Sequence, residues 1–107
     1  MNALLELFQV IKDRKENPME GSYTNYLLDQ GLDKILKKCG EESAETIIAA
    51  KNKNTEELAN EICDLLYHLS VLCVACGVEP EKIEGILRER SAKIGNLKQF
   101  KITDKNT

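Results

Sequence analysis

Tryptophan is absent from this 107-residue chain, and Phe and Tyr together number only five. A core must therefore come mainly from Leu, Ile, Val and Ala, side chains that suit helix packed on helix. Prolines number two (Pro18 and Pro80) and glycines six, so little stands in the way of long helices. Positive charge is also short. The net charge is −3 and the pI about 5.2, which argues against sequence-independent nucleic-acid binding, because that needs a basic surface. No continuous apolar run approaches the roughly 20 residues of a membrane span, so no membrane association is expected. The start, MNALLELFQVIKDRKE, has acidic and amide residues early and no cleavage site after a long apolar core, so it does not read as a secretion signal. Histidine occurs once, at His68. A di-iron bundle is thereby disfavoured, since it needs an E-x-x-H motif on each of two helices.

Four cysteines are present, and Cys73 and Cys76 form a CxxC inside an apolar helical pattern. Structural zinc usually wants two such pairs on turns. Here Cys39 and Cys63 are isolated, so buried, reduced thiols are the expectation.

What is abundant is apolar residues, 42% of the chain, at helical spacing. Leu4, Leu7, Phe8 and Ile11 predict an amphipathic helix from Ala3 to about Lys15. Pro18 and Gly21 break it. SYTNYLLDQG predicts a short helix capped by Ser22 or Thr24 and closed by Gly31. A longer pattern runs from Leu32 to about Lys51, weakened at Gly40 by about 1 kcal/mol relative to Ala. Asn54 and Glu57 have capping-box spacing and start a helix from about Thr55 to Cys76, with Gly77 as its stop. Pro80 opens a last helix through Ile83, Ile86 and Leu87 toward Ile94. No strand alternation, internal repeat or linker is visible. The expectation is one all-α domain over residues 1–95, of three to five helices, with a polar tail at 96–107.

Acidic residues form two clusters, Glu41, Glu42 and Glu45 in GEESAE, and Glu61 and Asp64 in EICD. Helix residues three apart are surface neighbours, with Cβ atoms roughly 5–6 Å apart. Both clusters lie roughly 14–15 Å along a helix from the turn near Lys53 and Asn54. An antiparallel hairpin brings them to the same height and face to face. Four carboxylates so gathered raise one another's pKa values unless a cation sits among them. All-oxygen ligation suits Mg²⁺ or Mn²⁺ rather than zinc. Glu41, Glu42 and Glu45 on their own would read as a solvated face paired with Lys37 and Lys38. Asp64, flanked by Leu65 and Leu66, argues for the joint site. His68 shares the stripe of Glu61 and Asp64, placed to pack in the core or to donate to a ligand carboxylate from behind.

The run EGSYTNYLLDQGLDKILKKCGEESAETIIAAK, followed by EELANEICDLLYHLSVL, resembles phosphoribosyl-ATP pyrophosphatase, of the MazG-like all-α nucleoside triphosphate pyrophosphatases. The likeness covers about Ile11 to Arg90. The superfamily motif E-E-x-x-E then E-x-x-D is Glu41, Glu42, Glu45, Glu61 and Asp64 here; the GSYT, ILKKCGEE and DLLYHL segments point to the histidine-biosynthesis enzyme. The resemblance implies a helical bundle around an antiparallel hairpin, completed by homodimerisation, in a cytoplasmic enzyme. It implies Mg²⁺-dependent hydrolysis of the α–β anhydride of phosphoribosyl-ATP to phosphoribosyl-AMP and pyrophosphate. Glu42, Glu45, Glu61 and Asp64 would be metal ligands, and Glu41 a ligand through water or an orienter of the nucleophile. Lys37, Lys38 and Arg88 would contact phosphate, and Ser22, Tyr23 and Thr24 the substrate. With no cyclohydrolase domain attached, the next step would fall to another polypeptide. A MazG-like enzyme for other nucleoside triphosphates and a non-catalytic helical oligomerisation module are the alternatives.

Overall fold

The computed structural model describes residues 2–93, and among them there are five helices and no strand. They are α1 (Ala3–Glu16), α2 (Tyr23–Gln30), α3 (Leu32–Lys51), α4 (Thr55–Cys76) and α5 (Pro80–Lys93). The all-α expectation holds. The tail at 96–107 and Ile94 lie outside the described residues.

Three of the helices, α1, α2 and α4, start where a side chain can satisfy free N–H groups, whereas α3 follows Gly31 with no side-chain cap. Asn2 caps α1, accepting from the amides of Leu4 and Leu5. Ser22, not Thr24, caps α2 by accepting from the Asn25 amide at 3.2 Å. Asn54 caps α4, accepting from the Glu57 amide at 3.0 Å. The reciprocal half of that box is altered. Glu57 accepts from the Asn54 side-chain amide at 3.4 Å rather than reaching back to the backbone. Replacing Ser22 by Ala is expected to lower stability by about 1 kcal/mol in a denaturant titration, the usual cost of a lost cap.

The connection from α3 to α4 is three residues, with Lys53 in the left-handed region at φ 58°. So short a link forces the two longest helices back along each other, and they make the most extensive pairing in the molecule. The core lies where α1, α2, α3 and α4 meet: Phe8 and Ile11, Leu27, Ile35 and Cys39, Val71 and Val74. No residue of α5 is buried. Its Ile83 and Leu87 flank a small groove shared with Leu4 and Phe8 of α1.

Three expectations change. Gly40 does not interrupt α3, which passes through it unbroken. A Cβ there would meet nothing within 4 Å. Gly40→Ala is thus expected to stabilise the fold by about 1 kcal/mol, measured as a shift in denaturant midpoint at unchanged slope. Second, the thiols are not uniformly buried. Cys39 is buried and Cys73 partly so, and burial raises both their pKa values, but Cys63 and Cys76 are exposed. They occupy positions of α4 that turn away from the core. Third, α4 is by length and mean hydropathy (1.4) apolar enough to cross a membrane, although no uninterrupted apolar run exists in it. Glu61 and Asp64 break the run, and the helix packs on α1, α2 and α3.

Candidate metal centre

The hairpin brings Glu42 and Glu45 of α3 against Glu61 of α4. One carboxylate oxygen from each lies within 4.8 Å of the others. Glu42 is buried at 7% exposure, Glu45 is exposed, and Glu61 is intermediate. Asp64, one turn along α4, is exposed and lies outside this tight group. It is still close enough for its charge to push up both Glu42 and Glu61.

Such crowding shows in the proton affinities. The Glu42 carboxyl is raised first by burial, then by Glu45, with His68 pulling the other way. Glu61 is raised to about 7, first through its hydrogen bond with Glu45, then through desolvation and the neighbouring charges. Glu42 Oε2 is buried and has no hydrogen-bond partner. A buried carboxylate oxygen without a partner is costly, and more so when its carboxylate stands beside two others.

Cations stand on one side only. Lys38 Nζ is 3.3 Å from Glu41 and 4.0 Å from Glu42. Its pKa is raised, first by the Glu41 contact, with the Tyr23 hydroxyl and Glu42 adding smaller contributions. Glu41 therefore sits outside the tight group, holding Lys38. Lys37 is exposed on α3. Arg88 pairs with Glu84 within α5. That helix lies beside α1, and the pair includes no member of the acidic group.

The GSYT segment packs α2 onto α4. Thr24 is buried and its hydroxyl hydrogen-bonds the Tyr67 hydroxyl. The Tyr23 hydroxyl lies 3.0 Å from His68 Nε2, and His68 Nδ1 lies 2.7 Å from the Asp64 backbone oxygen. His68 thus reaches the backbone of an acidic residue and not a carboxylate. Tyr67 and the Tyr23–His68 bond were not foreseen. Tyr23 and His68 are 45 residues apart, and no periodicity links α2 to α4.

A family model described as phosphoribosyl-ATP pyrophosphohydrolase matches residues 4–91. The chain belongs to the phosphoribosyl-ATP pyrophosphohydrolase family. Proteins named phosphoribosyl-ATP pyrophosphatase are similar over nearly the whole chain. The one from Streptococcus thermophilus is 56% identical over 99 residues, covering 92% of this chain and 95% of its own. That from Clostridium botulinum is 55% identical over 102 residues, covering 95% and 93%. A Bacillus cytotoxicus relative is 52% identical over 102 residues, covering 95% of each. The family match takes in α2, α3 and α4 whole and nearly all of α1 and α5, so the acidic group and the GSYT segment fall inside it.

Proposed function

We infer that this protein hydrolyses the α–β phosphoanhydride of phosphoribosyl-ATP, giving phosphoribosyl-AMP and pyrophosphate; its relatives are named phosphoribosyl-ATP pyrophosphatase. The reaction is the second step of histidine biosynthesis, and a cytoplasmic setting fits it. The observation that carries the site is the buried Glu42 carboxylate, whose Oε2 has no partner, grouped with the carboxylates of Glu45 and Glu61.

Those residues fit a hard divalent cation. Every donor is a carboxylate oxygen, three of them converge, and the buried one lacks a partner of its own. We propose Mg²⁺ (or Mn²⁺) held by Glu42, Glu45 and Glu61, with Asp64 closing the set. Bound there, the ion would supply neutralisation of phosphate charge and orientation of a water. Lys38, steered by Glu41, is placed to meet a substrate phosphate beside the carboxylates. Lys37 is exposed one residue before it on the same helix. Ser22 and Thr24 act as the cap and the anchor of α2, which keeps Tyr23 at the rim. Arg88 would reach the phosphates only from a different placement of α5 or from a second subunit.

A homodimer fits the uncovered apolar side chains of the hairpin. Leu36, Ile47 and Ile48 on α3 and Ile62, Leu66 and Leu69 on α4 are all exposed. Positions 62, 66 and 69 make one stripe beside the acidic one, a face that a second copy would cover.

The test is pyrophosphate release from phosphoribosyl-ATP against a panel of nucleoside triphosphates, with Mg²⁺ and with chelator. Preference for phosphoribosyl-ATP with Mg²⁺ is expected. Faster cleavage of a free nucleoside triphosphate, or full activity in chelator, rejects the reading. Sedimentation should give a dimer mass, and a monomer at micromolar concentration rejects that part.

A further inference from the structure

The Tyr23–His68 pair has no part in the chemistry above, and its protons can be counted. His68 is 5% exposed and is the chain's single histidine. Its Nδ1 faces a backbone carbonyl oxygen at 2.7 Å. A carbonyl has no proton to give, so Nδ1 carries the hydrogen. In the neutral ring Nε2 is then a bare lone pair. Only the phenol's own proton can fill the 3.0 Å contact between Nε2 and the Tyr23 oxygen. The ring is held for this task, because Tyr67 meets it edge-on at 5.0 Å while itself tied to Thr24. With the ring neutral, Tyr23 points its proton inward. What its oxygen offers outward is lone pairs.

We propose that His68, by accepting the Tyr23 proton, makes the Tyr23 oxygen an acceptor-only contact beside the carboxylate group, one that selects a hydroxyl or amino donor of the substrate's nucleoside portion and not a phosphate oxygen. The inference rests on the function proposed above and deepens it. A phosphate oxygen would set lone pair against lone pair. A ribose hydroxyl or an exocyclic amine brings the proton the site lacks. The surroundings agree. Tyr23 also lines an open cleft of about 640 Å³ with Met19, Gly21, Tyr26 and Asp29. Tyr23 and Tyr26 stand with ring centres 6.0 Å apart, both about half exposed, and aromatic faces suit a base or a sugar. Phosphate is left to Lys38. His68 is a positioning residue in this scheme and touches no substrate.

One histidine means one pair of imidazole nitrogen resonances from histidine labelled with ¹⁵N. At about pH 8, Nδ1 should carry the proton and Nε2 should resonate as an unprotonated nitrogen. Tyr23→Phe should then move Nε2 downfield, toward a free lone pair. A protonated Nε2 in the wild type, or an Nε2 resonance indifferent to Tyr23→Phe, overturns the proposal whatever the protein hydrolyses. Kinetics supply the recognition half. With phosphoribosyl-ATP, Tyr23→Phe should lower kcat/KM about tenfold, chiefly through KM, the scale of one lost hydrogen bond. His68→Gln, whose amide oxygen can still accept from Tyr23, should retain more of kcat/KM than His68→Leu. Adding Tyr23→Phe to His68→Leu should cost little more. Inorganic pyrophosphate, which has phosphate oxygens and no sugar, should inhibit wild type and Tyr23→Phe alike. An unchanged KM in Tyr23→Phe, or weaker pyrophosphate inhibition of it, overturns the proposal. A wild type inert toward phosphoribosyl-ATP overturns the proposed function alone, and the resonance result then decides the state of the Tyr23 proton.

Discussion

Replacing Glu42 by Gln lowers pyrophosphate release from phosphoribosyl-ATP by about a thousandfold, roughly 4 kcal/mol of transition-state stabilisation, and raises the melting temperature of the metal-free protein. The two effects share one cause. Glu42 is the carboxylate carried deepest into the bundle, its Oε2 has no partner, and burial pushes its proton affinity up. A buried charge facing two like charges works against the fold. Gln keeps the shape and removes the charge, so the apo fold gains while the cation loses its central ligand. The measurement is kcat/KM by pyrophosphate release beside a thermal melt in chelator. A variant that keeps more than about a tenth of wild-type activity takes Glu42 out of the site. A lower melting temperature would mean that the carboxylate is compensated in the apo fold.

The second large effect is a pH-dependent response to metal. Glu61 has a folded pKa of about 7 against an ordinary 4.5. Between those values the folded protein holds the proton more tightly than the unfolded chain does. Stability of the metal-free protein therefore falls as pH rises through that window, and the loss is complete above about 7. Raised Glu42 acts in the same direction. Ligation needs both groups ionised, so proton and cation compete. Millimolar Mg²⁺ should barely move the melting temperature near pH 5. Near pH 8 it should raise stability by about 2.7 kcal/mol once Mg²⁺ reaches a hundred times its Kd. Melting curves at both pH values with Mg²⁺ and with chelator decide it. An equal Mg²⁺ effect at pH 5 and pH 8 contradicts the assignment of Glu61, and no effect at either contradicts the centre.

Much of this was legible in the sequence because it is local. Helix bounds follow from caps and stops such as Asn54, Gly77 and Pro80, which act on the next few residues. The facing of the two acidic clusters needed one assumption, a tight turn at Asn52–Asn54, and the spacing then set the register. What stayed hidden depends on contacts between remote helices. Nothing within α2 says that the Tyr23 hydroxyl will meet His68, and nothing within α4 says that Glu61 will touch Glu45 more closely than Asp64 does. Lys38, in the KK beside the acidic cluster, was the stronger candidate for phosphate contact, and Arg88 the weaker. The structure separates them, because one helix carries the carboxylates and the other lies beside α1. Gly40 misled for the opposite reason. Its intrinsic cost was read as a weakness of the helix, whereas α3 runs unbroken through it, anchored by buried Ile35, Cys39 and Ala49.

The three-residue link between α3 and α4 has a consequence for how the protein comes to be. Glu42 and Glu61 are only 19 residues apart in the chain, and no other element is needed to bring them together. Closing so short a loop is entropically mild, and contacts of such low sequence separation belong to the fast end of folding. The carboxylates therefore confront one another as soon as the hairpin zips, whether or not the other helices have docked. Electrostatic repulsion in this protein is a problem of the folding route as well as of the finished site.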